Sequence, residues 1–182
     1  MLQINWIGAN PGNWGPGRTR NGIEYQPTAI VIHIMGRSLV EADAYYNTPP
    51  ERRQSDNPRH NGAPPSSSHY GIGRRGEVHQ YVKEQNRSFH SGKVLHPTWP
   101  LFEDGSKPNY FTIGMDFEGL TSDVWTDRMM VAGAMMIADI GHRWGIAMEP
   151  LNVIPHDALN SHCCCPGPMC ELDLLIAMAR DL

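Results

Sequence analysis

Cysteine is missing from the first 162 residues of this 182-residue chain, and all four cysteines fall between Cys163 and Cys170. A disulfide framework spreads its cysteines to staple distant segments, and adjacent cysteines bridge only with strain, so this crowding argues against a disulfide knot. Long apolar runs are missing too. None approaches the roughly 20 residues that a bilayer span needs, so no membrane partner is expected. A basic excess is also lacking: 15 Lys and Arg stand against 19 Asp and Glu, for a net charge of −4, which argues against a nucleic-acid partner. There are no repeats, no charge blocks and no dividing linker, so residues 1–182 read as a single domain, expected to be monomeric. The opening "MLQINWIGANPGNW" has no basic stretch followed by an apolar one, so no signal peptide is expected and the chain is expected to be made in a reducing cytoplasm.

What is present is a loop-rich α/β pattern, with 18 glycines and 15 prolines. Residues 1–27, and 5–22 above all, read as a loop-rich N-terminal segment. The β-branched run "TAIVIHIM" (28–35) predicts a buried strand with Ala29, Val31, His33 and Met35 on one face. Ser38 is placed to cap a helix over 38–47. The proline-broken residues 48–66 predict a long surface loop, and loops of that length are often functional. Residues 68–82 read as two strands turning at Arg74, Arg75 and Gly76. "FTIGMDFEG" (111–119) predicts a strand with Ile113, Met115 and Phe117 on one face and Gly114, Asp116 and Glu118 on the other. Thr126 caps a second helix with Asp127 in its first turn, and Met130, Ala134, Ile137 and Trp144 fall on one stripe. "LNVIPH" (151–156) predicts a last short strand, and 168–182 a last helix. Strands alternating with helices make the fold α/β.

Nine histidines are too many to read one by one. Two of them end strands: His33 closes "AIVIH" and His156 closes "NVIPH", and a cysteine follows His156 closely. Two imidazoles and a thiolate bind Zn²⁺ well and leave its fourth tetrahedral position open, which is the catalytic form of a zinc site. By spacing alone, a thiol nucleophile paired with a histidine stays open as an alternative. Two carboxylates, Asp116 and Glu118, on one side of an otherwise apolar strand also need a reason.

From "VIHIMGRS" through "SSSHYGIGRRGEVHQYV", "FHSG", "NYFTIGMDFEG" and "PHDALNSHCCCPGP", five motifs in order, the chain resembles the zinc N-acetylmuramoyl-L-alanine amidases. That family shares its fold with peptidoglycan recognition proteins and small phage lysozyme-type amidases. The resemblance spans about Ala29 to Gly167, and the core motifs lie within 28–170. It implies a central mixed sheet flanked by helices, with a zinc-containing groove on one face. It implies Zn²⁺ as cofactor and His33, His156 and Cys165 as its ligands. Cys165 directly precedes Pro-Gly, whereas the eight-residue spacing of some relatives points to Cys164. Cys163, Cys164 and Cys170 are otherwise expected to be packing residues. Asp116 takes the place of a family glutamate that assists catalysis, with Glu118 in reserve. His90, in "FHSG", is expected to line the substrate groove, and His69 to be structural. Where relatives carry a lysine or histidine two positions before the last ligand, this chain has Cys163, with His162 as the candidate should Cys164 be the ligand.

The implied reaction is hydrolysis of the amide between N-acetylmuramic acid and L-alanine in peptidoglycan or a muropeptide. The expected setting is a phage or bacterial lytic enzyme (an endolysin) released to the wall by a holin-type route. The alternatives are a cytoplasmic amidase that recycles anhydromuropeptides and a non-catalytic peptidoglycan-binding module.

Overall fold

In a computed structural model, residues 2–53 and 62–182 are described. Six strands form the main sheet: β1 (Ile4–Trp6), β2 (Ala29–Ile34), β3 (Tyr70–Ile72), β4 (Val78–Gln80), β5 (Thr112–Phe117) and β6 (Val153–Pro155). They lie in the order β1-β4-β3-β5-β2-β6. Only the β3–β4 hairpin is antiparallel; the other neighbours run parallel. The sheet is therefore mixed, with helices α1 (Leu39–Asn47), α2 (Asp127–Trp144) and α3 (Leu172–Arg180) flanking it. No helix among the described residues is long and apolar enough to cross a membrane.

Strand periodicity divides the two faces. Ile30 and Ile32 of β2, with Ile113, Met115 and Phe117 of β5, are fully buried on the face covered by α2 and α3. α2 starts where Thr126 accepts the Met129 N–H, and its inward stripe includes Met129, Met136, Ile137 and Ile140. Gly133 lets the helix come close, because a Cβ there would stand 2.6 Å from the Phe117 ring. The opposite face of β2 and β5 carries Ala29, Val31, His33, Gly114 and Asp116. Two smaller clusters flank it: Met35, Leu39, Ala42, Tyr46, Tyr81 and Val82 under α1 on one side, and Trp99, Ile154 and Leu159 on the other. Between them the face opens into a cleft. α1 is set beside that cleft by a capping box, in which Ser38 and Glu41 satisfy each other's backbone N–H groups.

Two sequence expectations change. Ile4–Trp6, in the segment read as loop, adds an edge strand parallel to β4. Its three residues are exposed, so no buried periodicity marks it. The segment also holds the short pairings of Trp14–Gly15 with Arg87–Ser88 and of Thr19–Arg20 with Ile23–Glu24. The last helix starts at Leu172, not Pro168, because Cys170 N–H bonds to the Gly167 carbonyl in a turn that precedes it. Of the loop expected at 48–66, residues 54–61 lie outside the described residues, and Pro50–Arg52 is a single 3₁₀ turn.

The two faces of α2 should respond differently to truncation. Ile137→Ala empties a fully buried position and is expected to cost about 2–5 kcal/mol in urea unfolding. Val131→Ala, at a residue 48% exposed on the same helix, should stay within about 0.5 kcal/mol of wild type.

Candidate metal centre

His33 is the fifth residue of β2 and Asp116 the fifth of β5, and the parallel register pairs them directly. Val153–Pro155, pairing on the other side of β2, delivers His156 at the start of a 3₁₀ turn. Three parallel strands thus end together, at the carboxyl edge where open α/β sheets place ligands. The loop after the turn brings back Cys165, whose carbonyl accepts the Asp157 N–H at 2.9 Å. Ligand atoms of His33, His156 and Cys165 all lie within 4.8 Å of one another. Cys164 is exposed.

Hydrogen bonds fix which nitrogen each imidazole offers. The Thr112 hydroxyl donates to the Pro108 carbonyl at 2.7 Å, so its oxygen accepts from His90 Nε2–H at 3.0 Å. His90 Nδ1 is then an acceptor and takes the His33 Nε2–H at 3.0 Å. The lone pair of His33 is left on Nδ1, which faces Cys165 Sγ at 3.9 Å. His156 donates Nε2–H to the Ser91 carbonyl at 3.2 Å, which leaves its lone pair on Nδ1 as well. His90 reaches His33 only because Gly114 has no side chain; a Cβ there would lie 2.5 Å from the His90 ring. Both ring nitrogens of His90 are engaged inside the protein and the residue is 8% exposed; it stands among the residues lining the cleft and also orients His33.

The electrostatics match a site built for a cation. Burial, with His156 and His90 nearby, holds His33 well below the ordinary imidazole pKa. Burial pushes His90 down to about 3 and lowers His156. Burial also raises the Cys165 thiol, although the Ile34 N–H points at its sulfur from 3.3 Å. Burial thus favours neutral imidazoles, with the Nδ1 lone pairs of His33 and His156 left for a cation, while the thiol lacks the positive partner that would ionise it. The donor set of two imidazoles and a thiol suits Zn²⁺.

Asp116 lines the same cleft, 6% exposed, with its carboxyl pushed up to about 6 by burial; a hydrogen bond from the Tyr46 hydroxyl and the Arg37 guanidinium pull the other way. Tyr46 comes from the last turn of α1. It is buried beside Leu39 and Ala42, and the sequence reading of the 38–47 helix does not single it out. Arg37 stacks on Tyr45 at 4.0 Å and reaches the cleft from the loop after β2. Glu118 shares Asp116's side in the alternation but lies past the strand end, where it accepts the Arg74 N–H at 2.7 Å in a neighbouring groove. His162 is exposed and stacks on His96, with ring centroids 5.0 Å apart. His69 is fully buried, with Nδ1 accepting the Gly114 N–H at 3.0 Å and Nε2 facing the Asn86 carbonyl.

The sequence matches the family described as N-acetylmuramoyl-L-alanine amidase over residues 24–168. Among solved structures, the fold is similar to a selenomethionine AmpD derivative, with TM-score 0.73 and 19% identity, over 98% of this chain and 95% of that one. It is similar to N-acetylmuramoyl-L-alanine amidase LysC from Clostridium intestinale, with TM-score 0.65 and 14% identity, over 99% of each chain. It also resembles Drosophila peptidoglycan recognition protein SD, with TM-score 0.60 and 14% identity, over 96% of this chain and 94% of that one. No curated protein sequence matches the chain.

The raised Asp116 carboxyl makes a stability prediction for metal-free protein. Its folded pKa of about 6 exceeds the ordinary 3.8, so the contribution it makes when protonated is full below pH 3.8 and is lost as pH rises through 6. Asp116→Asn keeps an oxygen that accepts from Tyr46 and carries no charge. At pH 8 in chelator it should be more stable than wild type by up to about 3 kcal/mol, and at pH 3.5 the two should coincide. Urea unfolding at both pH values measures this; an identical difference at the two would show that Asp116 is not held in an unfavourable charged state.

Proposed function

The chain belongs to the N-acetylmuramoyl-L-alanine amidase family, and from that premise we propose that it is a zinc-dependent peptidoglycan amidase. It hydrolyses the amide joining the lactyl group of N-acetylmuramic acid to the L-alanine of the stem peptide, on peptidoglycan or a muropeptide. The observation that carries this reading is the convergence of His33, His156 and Cys165, with both imidazole lone pairs turned into one cleft beside a buried carboxylate.

Bound to these three donors, Zn²⁺ supplies a Lewis acid for the amide carbonyl and a position where water loses a proton near neutral pH. The protein's own groups do the rest. His90 and Thr112 hold the His33 ring in one orientation, and the Ser91 carbonyl does the same for His156. Asp116, in register with His33, takes the proton of the attacking water and returns it to the leaving nitrogen. The Tyr46 hydroxyl fixes the carboxylate's direction, leaving its second oxygen for the water.

A thiol hydrolase reading has less support. A nucleophilic cysteine needs a depressed pKa or an effective base beside it. Cys165 is pushed up by burial, and burial lowers the basicity of both His33 and His156. A binding module of this fold needs no complete donor set, and the set here is complete.

Digestion of peptidoglycan should release L-alanine amino termini with no new reducing sugar ends, and exhaustive chelation should abolish the release. New reducing ends, or full activity after chelation, would sink the reading. Running the assay on intact sacculi and on soluble muropeptides in parallel separates a lytic enzyme from a recycling one.

Asp116→Asn should retain zinc and lose roughly 10²- to 10⁴-fold in kcat. Asp116→Glu should retain much of the activity, and Glu118→Gln, at a residue outside the cleft, should stay near wild type. Wild-type turnover in Asp116→Asn would remove this carboxylate from the mechanism.

A further inference from the structure

One metal-binding side chain beside the cleft has no part in that reaction. Cys163 Sγ stands 3.8 Å from His156 Nδ1, the nitrogen whose lone pair is free. The corresponding distance from Cys165 Sγ to His33 Nδ1 is 3.9 Å. A tetrahedral zinc with bonds of about 2.3 Å to sulfur and about 2.0–2.1 Å to nitrogen sets such donors roughly 3.5 Å apart. Each imidazole therefore has a sulfur at close to that spacing, with Cys163 lying outside the set whose ligand atoms are all within 4.8 Å of one another. The two cysteines are separated by one residue. Both are half-buried and Cys164 between them is exposed. The Asn160 carbonyl accepts the Cys163 N–H at 3.0 Å, and Cys165 is tied to Asp157, so both ends of the segment are anchored to the turn that carries His156.

We propose that Cys163 is a fourth protein donor to the metal, so that the chain offers two imidazoles and two thiolates and keeps the position needed by water covered until substrate enters. The thiol of Cys163 gives its proton to solvent as the sulfur–metal bond forms. Cys163 joins from the rim of the tight His33, His156 and Cys165 set, on a loop, and so is the donor that substrate can displace. This inference rests on the metal-dependent reading above. The competing account of the same geometry is a thiol that only donates a hydrogen bond to His156 Nδ1.

The test uses Co²⁺ added stoichiometrically to metal-free full-length protein and reads the thiolate-to-cobalt charge-transfer absorption in the near ultraviolet. Cys163→Ser should lose about half of the intensity per bound cobalt. Cys164→Ser and Cys170→Ser should match wild type. A band of unchanged intensity in Cys163→Ser overturns the proposal and leaves the hydrogen-bond account. Wild-type protein that binds no cobalt overturns the metal reading itself, and this proposal with it. A second measurement needs no variant: alkylation of wild type followed by mass spectrometry of the 161–182 region. Zn²⁺ should slow the labelling of Cys163 at least tenfold while Cys164 labels at one rate throughout; equal rates at Cys163 with and without Zn²⁺ overturn the proposal.

Discussion

The centre depends on a single run of hydrogen bonds that starts at a backbone carbonyl. Pro108 accepts from Thr112, Thr112 from His90, and His90 from His33, so one fixed acceptor sets the tautomer of two rings in turn. Reversing any member would put a proton on His33 Nδ1 and remove the lone pair that faces Cys165. The run is short because its parts are delivered by packed strands. Thr112 opens β5, His33 nearly ends β2, and His90 crosses between them above Gly114. A side chain larger than hydrogen at 114 would lift His90 away and break the run at its middle. Orientation here is thus a consequence of sheet register and one missing Cβ, and the group that could hold a metal ion depends on both.

The same burial that orders these groups leaves them short of positive charge. Three imidazoles are held neutral, a thiol is kept protonated, and Asp116 titrates high. Each of these costs arises from desolvation, and a divalent cation in the cleft reverses the last two together. Asp116 meanwhile has only Tyr46 and the Arg37 guanidinium to hold its charge. That is too little support for a structural ion pair and consistent with a group that must take up and give back a proton.

Much of this was legible in the sequence where strand periodicity governs. His33 and Asp116 are placed on their faces by alternation alone, and the caps at Ser38 and Thr126 locate α1 and α2. What stayed hidden are features set by tertiary contact. β1 is an exposed edge strand whose identity comes from pairing with β4, so its own residues carry no pattern. Tyr46 has its ring in the core; that its hydroxyl meets Asp116 follows from how α1 lies across the sheet. Glu118 follows the alternation in sequence and leaves it in space, because the strand ends at Phe117 and Arg74 claims the carboxylate. His90 was visible as a motif residue, but its role turned on the absence of a side chain at Gly114, 24 positions later in the chain and directly beneath it.

The crowding of cysteines at the C-terminal end also has a structural reason. Three elements of the centre come from rigid strand ends, and the last donor comes from a loop that must return over the cleft after the His156 turn. Of the three consecutive cysteines, Cys163 and Cys165 are half-buried and Cys164 is exposed. The Pro-Gly step after Cys165, with Gly167 at φ +101°, then bends the chain away toward α3. A Cβ at Gly167 would collide with the Thr121 backbone, 2.5 Å away, so the bend holds the loop against the segment that follows β5. The two sulfurs have different neighbours: Cys165 lies beside β2, against the Ile34 N–H, and Cys163 stands next to His156.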